Sequence, residues 1–173
     1  MSRRSSFLGD RRGTAAIEFG LIAPLLVLLV FVLVETVNIQ LAAGKTQDAA
    51  ESIADLIAQE KSVGATEMSD LFHAGELILA PFPAASFGVA AANVRFDAAT
   101  GAPRADWQAA LRAPAIADAA TLAVGLGGKG ESIVVVRAQF DYAPLFGTLL
   151  DHTVRLTRTA IARPRLRPYV PYS

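Results

Sequence analysis

From Phe19 to Val34 the chain carries no charged residue, and the apolar character begins at Thr14. Taken as a helix rising about 1.5 Å per residue, Thr14–Val34 reaches about 31 Å, close to a hydrocarbon core of about 30 Å. Past Val34 the pattern narrows to a stripe. Val37, Leu41, Ala49, Ile53, Leu56 and Ile57 recur at three- and four-residue spacings, which predicts that the same helix continues as an amphipathic one. It should run from Thr14 to about Val63 and end at Gly64. A second helix is expected from about Glu67 to Leu79, capped by Thr66 and stopped by Pro81 and Pro83. Its buried side would be Leu71, Phe72, Ile78 and Leu79.

From Phe87 the period changes to two. Val94 and Phe96 alternate with Asn93, Arg95 and Asp97, and Asp97-Ala98-Ala99-Thr100-Gly101 has the composition of a hairpin turn leading to a strand with Trp107. Ala113 to Val124 is Ala-rich and fits a short helix. Ile133–Tyr142 is the clearest strand, with Val134, Val136, Ala138, Phe140 and Tyr142 on one face and Arg137, Gln139 and Asp141 on the other. Its partner runs from about Thr153 to Arg163 through Val154, Leu156 and Ile161, with an irregularity near Arg158. A small antiparallel sheet packed on the back half of a long helix is an α+β head.

Several positions invite a chemical reading. Glu18 stands inside the apolar run, where a lone charge costs roughly 2.5–3.5 kcal/mol near the bilayer centre and calls for a partner. Pro24 removes a donor to the carbonyl of Gly20 and predicts a kink there. Asp48, Glu51 and Asp55 share a helix face, which reads as a solvated surface rather than a metal site. His73 and His152 lie in unrelated elements, and cysteine is absent, so no nucleophile–base constellation is visible. The glycines of 125–130 fail as a phosphate loop, because Ala123 stands where the first Gly is needed and Gly130 where Ser or Thr is needed. The expectation is a non-enzyme with no catalytic residue, cofactor or metal.

Charge sets the orientation. Arg3, Arg4, Arg11 and Arg12 precede the span, whereas Lys45 alone follows it closely. The amino end should therefore be cytoplasmic and the head outside. A removable secretory signal ending at Ala42-Ala43 fits poorly, since Glu35, Asn38 and Gln40 intervene. The 16 basic and 16 acidic residues cancel, which gives no global attraction for nucleic acid. The basic tail, Arg163-Pro164-Arg165-Leu166-Arg167-Pro168, reads as solvated or as a contact for an acidic partner. The apolar link Pro144–Leu150 either tucks onto the core or forms a patch for a neighbouring subunit or the bilayer, through Leu145, Phe146, Leu149 and Leu150.

Arg12-Gly13-Thr14-Ala15-Ala16-Ile17-Glu18-Phe19, with Leu21, Pro24 and Leu25 after it, resembles the start of a type IV prepilin, and more closely a TadE/TadG-like protein of tight-adherence (Flp) pili. Tyr142-Ala143-Pro144-Leu145 and Ala162-Arg163-Pro164-Arg165 resemble the closing strands of that domain. The resemblance implies a basic leader, 1–13, cut by a prepilin peptidase between Gly13 and Thr14. It also implies that Glu18, beside Phe19, pairs with the freed amine of a neighbouring subunit. The expected organisation is then leader 1–13, transmembrane helix 14–34, amphipathic continuation 35–64 and extracytoplasmic head 65–173. The resemblance implies a pseudopilin or minor pilin in the bacterial inner membrane, possible entry into the pilus, and a role in surface attachment. Its partners would be other pilin subunits, the peptidase, the inner-membrane assembly platform and the lipid bilayer. An uncleaved membrane-anchored scaffold of the same machinery and a tethered extracytoplasmic binding module are the competing readings.

Overall fold

A computed structural model describes residues 13–147 and 153–173. Helix α1 (Thr14–Gln59) is followed by α2 (Ala65–Ile78). Then come β1 (Phe87–Phe96), β2 (Pro103–Leu111), the short α3 (Ala119–Ala123), β3 (Ser132–Tyr142) and β4 (Val154–Ala162). The strands form one antiparallel sheet in the order β2-β1-β3-β4. The chain divides into two compact units after Asn38.

Within the second unit, residues 39–59 of α1 pack onto the sheet through a face of small residues. Ala42, Ala49, Ala50, Ala54 and Ala58 are buried there with Ile53 and Ile57, and short side chains let a helix approach a pleated surface closely. The sheet answers with Phe87, Val89, Val134, Val136, Ala138, Phe140 and Tyr142, and α2 closes the cluster with Met68 and Phe72. A second cluster fills the opposite face, where Ala90, Ala92, Val94, Phe96, Ile133 and Val135 meet Ile116, Ala119 and Ala123. Both faces of β1, and of β3 as far as Val136, are therefore dry, whereas from Arg137 on β3 alternates buried with half-exposed residues.

The alternation expected of β3 is present on the helix side, and the expected hairpin and short helix also form. Asp97 fastens the hairpin turn by accepting hydrogen bonds from the Ala99 and Thr100 amides and the Thr100 hydroxyl. Gly101 supplies the positive φ, 75°, that the turn requires.

Several expectations need correction. Helix α1 stops at Gln59, short of Val63, because the Val63 backbone is paired elsewhere. Its amide donates to the Pro171 carbonyl, and its carbonyl accepts from the Ser173 amide. The cap of α2 is Gly64, not Thr66, and the Glu67 carboxylate accepts the Gly64 amide at 3.1 Å. Asn93 is fully buried rather than outward, between Trp107 on β2 and Val134 on β3. The register of β4 on β3 passes Arg158 without a break, and Ile161 points outward at 43% exposure. Val37, Leu41 and Leu56 lie on the exposed side of α1.

The largest revision concerns the tail. Residues 163–173 strap the end of the sheet, and Arg163, Arg165, Leu166, Arg167 and Pro168 stay exposed as expected while the residues after them turn inward. The Arg165 amide donates to the Ala58 carbonyl and the Ser132 amide donates to that of Pro168. Val170 is fully buried. The Trp107 indole N–H donates to the Val170 carbonyl at 2.7 Å, and the Trp107 ring lies 5.6 Å from that of Tyr172.

Candidate membrane and assembly segment

Among its described residues the first unit is a helix from Thr14 onward with its apolar side chains turned outward. Ile17 is 75% exposed, Phe19 68% and Leu21 79%. One 18-residue window of α1 reaches a mean hydropathy of 2.8 with none of it buried, so the helix is long and apolar enough to cross a membrane. A surface of that kind is costly in water and at rest in hydrocarbon or against like helices.

Gly13 immediately precedes the first helical residue, and an added Cβ there would meet nothing within 4 Å. Thr14 opens the helix. Glu18 lies one turn in, exposed, and makes no ion pair among the described residues. Phe19 follows it on the exposed surface. The helix runs on through Gly20 and Pro24 without interruption, although Pro24 has no N–H to give the Gly20 carbonyl. Beyond the apolar run, the Thr36 hydroxyl donates to the Val32 carbonyl and the Asn38 amide to that of Val34. Both side chains thereby satisfy their donors on the helix itself.

Residues 13–55 match the family of TadE-like proteins. The match covers Gly13, Thr14, Glu18, Phe19, Gly20 and Pro24 and ends in α1, within the part that packs on the sheet. It associates this segment with a pilus-related family whose members are structural. No curated protein and no solved structure matches the chain.

The apolar link after β3 is only partly within the described residues. Leu145 is 65% exposed and Phe146 half-buried, whereas Leu149 and Leu150 fall outside them. The described residues contain no group of three His, Asp or Glu side chains placed to hold a metal ion. The acids on α1 separate into two kinds: Asp55 is ion-paired with Arg165, while Asp48 and Glu51 are exposed. Sequence reading missed the Asp55–Arg165 pair, since 110 residues separate its members.

Proposed function

We propose that this chain is a TadE-like pseudopilin or minor pilin that takes part in assembling a tight-adherence pilus. The observation that carries this reading is the placement of Gly13, Thr14 and Glu18 at the head of an exposed apolar helix inside the matched segment. Its chemistry is recognition rather than turnover. A prepilin peptidase reads the basic leader and cuts after Gly13, where a side chain would crowd the scissile bond. The cut leaves Thr14 with a charged amine at the membrane surface. Glu18 of a neighbouring subunit then accepts that amine, and in a medium of low dielectric each charge offsets the desolvation of the other. The acids that perform the cut belong to the peptidase. Four arginines before the span hold the amino end in the cytoplasm, so the sheet domain stands in the periplasm.

The test is the mature amino terminus of protein made in its native cell. Thr14 as first residue supports the reading, and retention of Met1 or Ser2 replaces it with an uncleaved anchor. Gly13→Arg is expected to keep the leader attached, visible as a higher intact mass. Glu18→Ala is expected to be cut normally but to assemble poorly; normal pili in that strain would refute the pairing role.

A further inference from the structure

The strap, residues 163–173, is fastened to the end of the sheet through carbonyls and amides at both of its ends. The Ser132 amide donates to the Pro168 carbonyl, the Trp107 indole N–H to that of Val170 and the Val63 amide to that of Pro171. In return the Arg165 amide donates to the Ala58 carbonyl and the Ser173 amide to that of Val63. Pro164, Pro168 and Pro171 have no N–H to add. Of the strap's side chains Val170 alone is buried. The Arg165–Asp55 ion pair is exposed on both sides, where such a pair holds weakly.

Polar side chains without partners lie where these bonds are made. Asn93 on β1 is fully buried, beside Trp107 on β2 and Val134 on β3. Ser132, two residues before Val134 on β3, is buried on the same side of the sheet. The Asn93 carboxamide nitrogen and oxygen and the Ser132 hydroxyl have no hydrogen-bond partner among the described residues. Strap contacts surround the pair. Trp107, beside Asn93, holds Val170; the amide of Ser132 holds Pro168; and Arg95, opposite Ser132, has the Tyr169 ring 4.2 Å from its guanidinium. A buried polar group left unpaired forfeits its hydration, which costs a factor of about ten or more in an equilibrium constant.

We propose that the strap is a latch: it opens as one unit while the four-stranded sheet stays folded, and the unpaired groups of Asn93 and Ser132 set how often it does so. Closed, those groups forgo their hydration; lifting the strap returns them to water. Their cost therefore falls on closure of the strap and is opposed by the burial of Val170 and the bonds that fasten it. A segment whose opening costs less than global unfolding moves by itself. Opening bares the Ser132 and Val63 amides and the Trp107 indole N–H together, so the latch decides whether that end of the sheet is sealed. The device does not require the cut at Gly13.

Hydrogen–deuterium exchange of the full-length chain in detergent, resolved to single amides, tests the latch. The Val63, Ser132 and Arg165 amides are expected to share one protection factor, about tenfold or more below that of the Ala91 and Val135 amides at the centre of the sheet. Ser132→Ala and Asn93→Leu remove the unpaired groups, and each should raise the protection of Val63 and Arg165 about tenfold. Val170→Ala should lower it about tenfold. Ser132→Ala adds no bulk, so it carries the test where Asn93→Leu packs badly. Strap-bound amides as protected as those of Ala91 and Val135 would overturn the latch, and protection unmoved by Ser132→Ala would overturn the part given to the unpaired groups. Exchange is read on the uncut chain, so its result is separate from that of amino-terminal sequencing.

Discussion

Gly75 of α2 lies where α2 crosses α1, and it offers a sharp test of the packing that carries the sheet domain. An alanine Cβ at that position would lie 2.4 Å from Ile53 Cδ1, 3.1 Å from Ile53 Cγ1 and 3.6 Å from Phe87 Cε1. Ile53 is fully buried, so its terminal methyl has little room to swing aside. Two effects oppose each other in Gly75→Ala. Replacing glycine within a helix gains about 0.8–1.0 kcal/mol, and overpacking a dense core costs about 1–3 kcal/mol. The expected net is a loss of about 1 kcal/mol. Ile53→Val removes the obstructing methyl and alone costs about 0.5–1.5 kcal/mol. In the double variant the new Cβ occupies the vacated space, and the closest remaining approach is the 3.1 Å one. Its stability should return to about that of the parent instead of falling by about 2 kcal/mol, a coupling of about −2 kcal/mol, large for a contacting pair. The assay is denaturant unfolding of the full chain in detergent, followed by the fluorescence of its single tryptophan, Trp107. Additive losses, or a Gly75→Ala variant more stable than the parent, would refute the close crossing of α1 and α2.

Acid should weaken the same unit. The hydrogen bond from His73, then that from Arg112, holds the Glu76 carboxyl below its ordinary value of 4.5, and the hydrogen bond from Arg155 does the same for Asp141 relative to 3.8. A folded-state pKa below the unfolded one means stability that is present above the unfolded value and lost as pH falls through the folded one. Thermal midpoints are therefore expected to be flat near neutrality and to fall below about pH 4.5, with Glu76→Gln showing a shallower acid limb; an unchanged limb would remove Glu76 from the account. Val170→Ala strips two methyls from a fully buried strap residue, at an expected cost of about 1.6 kcal/mol or more. A neutral result in urea unfolding would show that the strap is not part of the core.

The elements legible in the sequence are those whose environment is uniform along their length. The run from Thr14 to Val34 is uniformly apolar, so composition alone identifies it as part of a helix long and apolar enough to cross a membrane. The helix-facing side of β3 was legible because Val134, Val136, Ala138, Phe140 and Tyr142 meet a single continuous cluster. On the other face Arg137, Gln139 and Asp141 are half-exposed as read, while α3 buries Ile133 and Val135, so the contrast on which a period-two reading depends holds over the second half of the strand. Asn93, on the face turned away from α3, misleads for another reason. Its polarity suggested solvent, yet its position opposite Val134 and Trp107 puts it inside, with its side-chain nitrogen and oxygen unpaired among the described residues.

The strap shows where local rules stop. Its opening composition, arginines alternating with prolines through Pro168, is that of a solvated tail, and only Tyr169, Val170 and Tyr172 beyond it argue for burial. What decides its course are partners far away in sequence. Arg165 pairs with Asp55, 110 residues earlier, and the Val170 carbonyl accepts from Trp107, 63 residues earlier. Proline helps, because it fixes an extended backbone and lowers the entropy lost when the segment docks. The same extended path carries Tyr169 over Arg95. A segment whose charge looked like a signal to outside partners thus has its own chain as its first partner.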